Sequence, residues 1–142
     1  MVIKMSRCKA TTKEIELLAR LMRAEALGEG NTGMLLVANV GVNRVVADCN
    51  EFKKITSIKQ MVYQKPSGFE GANSPLFNTT PRTIQKDLAK RAIKFWRGDP
   101  ATYSLWFRTP INGGCQSFYG NFSGRYKNHC FYDPEKSRKC NL

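Results

Sequence analysis

The sequence contains a single histidine and only eleven acidic residues against 23 lysines and arginines, and each shortage narrows what the protein can be. One histidine cannot make a metal site by itself. None of the five cysteines (Cys8, Cys49, Cys115, Cys130 and Cys140) falls into the CxxC pairs that structural zinc sites use, so no metal and no cofactor is expected. No apolar run approaches the ~20 residues that a membrane-spanning helix requires, and no repeat or low-complexity segment is present. The opening residues, MVIKMSRCKATTKE, lack an apolar core and a small-residue cleavage site, so the expectation is synthesis in the cytosol without a signal peptide. The odd cysteine count suggests mostly buried or free thiols, with a Cys115–Cys130 bridge if the protein ends in an oxidising place.

What is present is a chain of 142 residues with 42% hydrophobic and 24% charged side chains, the size and balance of one soluble domain, taken as residues 1–142. Its formal net charge of +12 implies an anionic partner through long-range attraction: nucleic acid, acidic lipid or a wall polymer. No nucleic-acid-binding motif accompanies the charge, so nucleic acid is not the expected partner.

Thr11-Thr12-Lys13-Glu14 announces a first helix with a capping box. Ile15, Leu18, Ala19, Met22 and Ala26 give it one apolar stripe, and Gly28 is expected as the left-handed residue just past its end. Residues 33–47 follow an Asn31-Thr32 cap signal and are apolar on nearly every side, as in the buried central helix of a small domain. Ser57 and Gln60 cap a short helix at about 57–64, with Ile58, Met61 and Val62 inward. The stretch 65–79 reads as a long loop, a length that is usually functional or disordered. Thr80-Pro81 then opens a fourth helix with Ile84, Leu88, Ala92 and Phe95 on one face, and Trp96 packing at its end. After Pro100 the period changes to two, with Tyr103, Leu105 and Phe107 alternating with Ser104, Trp106 and Arg108, and Tyr126 to Tyr132 reads as a last strand. The expected architecture is α+β, mainly helical, with a small antiparallel sheet near the C-terminus.

With so few acids, Glu25 and Glu29 in ARLMRAEALGEG stand out. A carboxylate in the last turn of a helix faces the negative end of the macrodipole, which disfavours ionisation and raises its pKa. A protonated carboxyl near neutral pH is what glycosidic cleavage needs to protonate the departing sugar oxygen, so Glu25 is the candidate general acid. Glu29 lies beyond Gly28. It either supports Glu25, pairs with a nearby arginine or caps the second helix.

The residues also resemble a known family. Arg23-Ala24-Glu25-Ala26 with Gly28-Glu29-Gly30, Gly33-Met34-Leu35-Leu36-Val37 and Asn39-Val40-Gly41-Val42-Asn43-Arg44 resemble the catalytic domain of spore cortex-lytic cell-wall hydrolases, the SleB/CwlJ family. Ile58–Gln64, Phe69-Glu70, Ser104–Phe107 and Tyr126–Tyr132 are similar to CwlJ segments in the same order, so the likeness runs from about residue 11 to 134. One departure is Lys65, which separates Gln64 from Pro66 where the family tends to have Gln-Pro and bears on how the loop meets glycan.

The resemblance implies a lysozyme- or lytic-transglycosylase-like fold and an enzyme that cleaves the muramic acid–glucosamine bond of spore cortex peptidoglycan during germination. Glu25 falls on the family's catalytic acid. The outcome is either hydrolysis or a 1,6-anhydro product. The resemblance further implies deposition in the spore coat outside the cortex, a coat anchoring partner, and calcium dipicolinate as an activating signal.

Phe69, Tyr103, Trp106 and Tyr119 are the aromatic candidates for stacking on sugars, with Glu70 beside Phe69. Alternation puts Tyr103 and Trp106 on opposite faces of a strand, so at least one of them is expected in the core. His129 either orients Glu25, bonds substrate or is structural. Its neighbour Cys130 suggests a Cys/His amidase, but adjacent strand residues point to opposite faces, which is poor placement for proton transfer. The non-enzymatic alternatives are a basic binding module for wall polymer or nucleic acid, and a structural spore-coat protein crosslinked through its cysteines.

Overall fold

The computed structural model describes residues 6–49, 51–65, 69–135 and 140–142. Helix α1, Thr12–Ala26, starts on the expected box: the Thr11 hydroxyl accepts the Glu14 N–H at 3.1 Å, and Glu14 accepts the Thr11 N–H at 3.0 Å. The second carboxylate oxygen of Glu14 accepts the Lys59 N–H at 3.1 Å, tying α1 to the segment around Lys59. The chain does not leave the helix at Gly28. Leu27–Glu29 form a 3-10 turn and helix α2, Gly30–Val46, follows at once. The positive φ belongs to Gly30 (φ 79°, ψ −173°) and not to Gly28, because the reversal into α2 needs a backbone region open almost only to glycine.

Helix α2 is the centre of the domain, and every residue from Gly33 to Arg44 is buried. Leu18, Leu21, Met22 and Ala26 of α1 pack with it, as do Ile58, Met61 and Val62 of α3, which spans Ile58–Val62. In α3 the Ser57 hydroxyl accepts the Gln60 N–H, but the Gln60 side chain reaches back to the Thr56 N–H and not to Ser57. The stretch after α3 contains two 3-10 turns, Glu70–Asn73 and Pro75–Asn78. Residues 66–68, and with them the departure at Lys65-Pro66, fall outside or at the edge of the described residues.

Helix α4, Thr83–Lys94, begins after the expected Thr80-Pro81. The physical reason lies in Arg23, which is only 5% exposed: its guanidinium bonds the carbonyls of Leu76, Thr79 and Thr80 at 3.0, 2.5 and 2.9 Å. Those contacts hold the chain extended up to Pro81. The inward face is also turned from the expected one. Gln85, Leu88, Ala89, Ala92 and Ile93 are buried, whereas Ile84 and Phe95 are exposed, because Gln85 turns in to accept from the Arg82 N–H at 2.8 Å.

The sheet has order β1-β3-β2, all antiparallel, with β1 Trp106–Arg108, β2 Asn121–Tyr126 and β3 His129–Asp133. The single last strand expected over 126–132 is therefore two strands of a hairpin. Its turn at Lys127-Asn128 puts Lys127, a non-glycine, at φ 47°, which composition does not advertise. Nor does the period-two run from Tyr103 form a strand before Trp106. Ala101, Thr102 and Ser104 present their carbonyls to the buried Asn39 and Asn43 amides of α2, at 2.8 to 3.3 Å, and this bends the segment into turns. Arg7, ahead of α1, donates in turn to Asn39 Oδ1 and Asn43 Oδ1. Disulfides join Cys115 to Cys130 and Cys49 to Cys140, leaving Cys8 free, so four of the five cysteines are paired rather than mostly unpaired.

Candidate active site

The turn Leu27–Glu29 leaves Glu25 half-buried on the final turn of α1, opposite the first 3-10 turn of the long loop. The Gly71 N–H donates to Glu25 Oε1 at 2.6 Å. A Cβ at position 71 would lie 2.6 Å from that oxygen, so the amide approaches this closely only because residue 71 is glycine. The Glu25 pKa is raised. Burial is the largest cause; the Gly71 bond, His129 and Arg44 pull it back down, and Glu70 pushes it up. The direction is the one the helix-end argument expects, but the main cause is desolvation.

Glu25 opens onto a cavity of about 470 Å³, within the range of small-molecule and cofactor sites. The helices and the long loop contribute Glu25, Arg44, Phe69 and Glu70 to its wall. The sheet and its connecting loop contribute Trp106, Phe107, Arg108, Thr109, Phe118, Tyr119 and His129. The chain thus brings together six of the residues singled out in the sequence: Glu25, Phe69, Glu70, Trp106, Tyr119 and His129. Tyr103 is not among them. It lies on the turn before β1, half-exposed, with the Arg97 guanidinium 5.0 Å from its ring.

Glu29 does not line the cavity, but it holds a residue that does. Its Oε1 lies 2.8 Å from His129 Nδ1, its Oε2 accepts the Asn128 N–H at 3.0 Å, and its carbonyl accepts from Lys127 Nζ at 3.2 Å. Its partner is therefore the hairpin turn and not an arginine. It occupies the N-cap position of α2 without a side-chain cap bond. With a carboxylate at Nδ1, that nitrogen carries the proton, and in the neutral ring Nε2 is an acceptor. The imidazole is fixed from a second side by Phe107, edge-on at 4.9 Å between centroids.

Arg44 is the main site residue that sequence reasoning passed over. Its guanidinium lies 4.1 Å over the Phe69 ring, and Nε donates to the Leu105 carbonyl at 2.7 Å. Burial lowers its pKa to about 10, with Glu51 and Glu25 acting the other way, so it keeps its charge at neutral pH. A lone arginine in GMLLVANVGVNRVV was the available signal, since charges are rarely buried without a role. Phe69, held under Arg44, stacks on Phe107 at 5.3 Å and 20°. Nothing in the sequence pointed to Gly71. Among the described residues, no group of three or more His, Cys, Asp and Glu side chains is placed to hold a metal ion, and no helix is long and apolar enough to cross a membrane.

The sequence profile of the family described as Cell Wall Hydrolase matches residues 28–132. This chain belongs to that family. The match spans Glu29, Arg44 and His129 and begins three residues after Glu25. Among relatives, the cell wall hydrolase CwlJ of Oceanobacillus iheyensis is 49% identical over 127 residues, 89% of this chain and 90% of that protein. The cell wall hydrolase CwlJ of Bacillus subtilis is 46% identical over 128 residues, 89% of each. In three dimensions the chain is similar to the catalytic domain of Bacillus cereus SleB, with a TM-score of 0.71, 22% identity and coverage of 88% of this chain and 93% of that one. It is also similar to the catalytic domain of the germination-specific lytic transglycosylase SleB from Bacillus anthracis, with a TM-score of 0.70, 21% identity and coverage of 87% and 97%. The fold is thus the helix-rich lytic-transglycosylase-like one with a small antiparallel sheet, and family membership makes the protein a cell-wall lytic enzyme.

Proposed function

We infer that the protein cleaves the glycosidic bond between muramic acid and glucosamine in spore cortex peptidoglycan during germination, with Glu25 as general acid. The observation that carries this reading is a carboxyl on a cavity wall whose burial favours the protonated form, held by one backbone N–H. In the first step Glu25 gives its proton to the bridging oxygen as the bond to muramic C1 breaks. In the second the Glu25 carboxylate takes a proton from the muramic C6 hydroxyl as its oxygen closes on C1, giving a 1,6-anhydro end; alternatively it takes the proton from a water and leaves a reducing end.

Both carboxylate oxygens of Glu29 are engaged by the hairpin, which favours a single catalytic acid with Glu29 and His129 as its supports. Glu70, exposed at the cavity wall, is the remaining carboxylate that could direct a water. Phe69, Trp106 and Tyr119 are read as sugar-contacting rings. The strongly positive chain suits a polymer that carries stem-peptide carboxylates. By family resemblance we place the enzyme in the spore coat at the outer face of the cortex, held by a coat protein and responsive to calcium dipicolinate.

The test is mass spectrometry of muropeptides released from purified cortex. The native protein is expected to release them, and Glu25→Gln to release them about 10²–10⁴-fold more slowly while keeping its circular dichroism spectrum. Release by that variant at the native rate sinks the assignment of Glu25. Anhydro-muramic ends identify a lytic transglycosylase and reducing ends a hydrolase.

A further inference from the structure

A cavity of this size takes only part of a polymer, so a glycan strand must run on over the surface beyond it. The sheet carries an aromatic row in direct register: Trp106 of β1 opposite Tyr132 of β3, and Tyr132 opposite Phe122 of β2. Cross-strand partners share a face, so the three rings lie side by side across the sheet. Trp106 and Tyr132 are buried because a second layer covers them. Tyr119 lies 5.6 Å from Trp106, and Phe118 lies 5.5 Å from Tyr132 and 4.7 Å from Tyr119. Phe122 sits 5.8 Å from Tyr132 on the other flank.

The outer members of this cluster remain open: Phe118 is 39%, Tyr119 52% and Phe122 55% exposed. Three large, partly exposed rings flanking the buried Trp106 and Tyr132 leave apolar surface in water, and such patches mark binding surfaces. The cluster also has a direction. Trp106, Phe118 and Tyr119 line the cavity that holds Glu25, whereas Phe122 does not. The Arg108 guanidinium lies 4.6 Å over the Phe118 ring, so a cation accompanies the apolar faces.

We propose that Tyr119, Phe118 and Phe122, with Arg108, form a carbohydrate-binding platform that holds the glycan strand outside the bond being cut. Sugar rings offer one apolar face to stack on aromatic rings, and the stem-peptide carboxylates borne on muramic acid give Arg108 a partner. The occupant is a glycan because the platform is continuous with the cavity, and this deepens the wall-lytic reading and rests on it. The Cys115–Cys130 disulfide fastens the segment bearing Phe118 and Tyr119 to strand β3, beside His129. The platform is thereby set against the catalytic cavity.

The experiment measures binding apart from cleavage. Glycan strands with stem-peptide carboxylates, either long or two disaccharides in length, are titrated into the full-length Glu25→Gln protein, alone and combined with Phe122→Ala. Phe122→Ala is expected to weaken the long strands about threefold to tenfold, the equivalent of one aromatic contact, and to leave the short ones unchanged. Tyr103→Ala, an equally exposed ring off the cavity, is expected to change neither. Equal weakening of both lengths, or no weakening of the long one, overturns the platform. Because the titration needs no turnover, a failure of Glu25 as the acid would be recorded separately, as native-rate cleavage by Glu25→Gln.

Discussion

The two halves of the cavity are built by opposite means. The helical half is densely packed: Glu25 projects from a helix end beside α2, which is buried along twelve consecutive positions from Gly33 to Arg44, and a backbone amide fixes its carboxyl at 2.6 Å. The sheet half is three short strands and a connecting loop, with exposed rings and a disulfide across 15 positions. Rigid helices hold an ionisable group where burial can tune it, while a thin sheet displays flat side chains over a wide area. Proton transfer is thus expected to depend on the first half and the grip on polymer on the second. The Glu29–His129 pair fastens the two together.

The largest effect should come from Glu25→Gln, a loss of about 10²–10⁴ in kcat, the usual contribution of general acid–base catalysis. The same variant reports on burial. A carboxyl whose folded pKa is raised contributes stability below the ordinary carboxylate range and loses it as pH rises through the folded pKa. Glu25→Gln should therefore melt higher than the native protein at neutral pH, by a margin that vanishes in acid. Thermal melts across pH check this, and a margin that grows in acid contradicts the desolvation argument.

Next in size is Gly71→Ala, whose methyl would displace the Glu25 carboxyl. Misplacing a reacting group by about an ångström costs about 10²-fold, so kcat should fall by that order with glycan binding retained. Replacing both Cys115 and Cys130 with alanine should act on the other half. Releasing a loop of this length costs about 3 kcal/mol in the chain-entropy account, seen as a lower denaturation midpoint. KM should rise while kcat is held. A fall in kcat as large as the rise in KM would break the division of labour.

The smallest effect belongs to Glu70→Gln. Removing that negative neighbour should lower the Glu25 pKa, so the alkaline limb of the pH–rate profile moves to lower pH. If kcat collapses at every pH instead, Glu70 is directing a water and a single acid is not enough.

Parts of this arrangement were legible in the residues. The Thr11–Glu14 box, the all-round apolar α2 and the acid at the end of α1 follow from local rules of capping, periodicity and helix-end electrostatics, which need no knowledge of distant partners. What escaped was set by contacts far apart in the chain. Arg23 holds the Leu76–Thr80 carbonyls and delays α4, while Asn39 and Asn43 bend the segment that alternation reads as strand. The pairing of Glu29 with His129 spans 100 positions and cannot be seen from either end. At the site, the acid carries a recognisable motif. Gly71 acts through its backbone amide and the absence of a side chain, so it leaves no local mark.

That 100-position clasp also bears on what a cut chain can do to a cell wall. Glu25 and His129 stand on opposite walls of the cavity but about a hundred positions apart in the chain, with Trp106 and Tyr119 shortly before His129. No N-terminal fragment, whether from a premature stop or a proteolytic cut ahead of the hairpin, carries both walls of the cavity. A complete cavity therefore requires one unbroken chain from the acid at the end of α1 through the closing hairpin, so a single cut between them separates the acid from its wall.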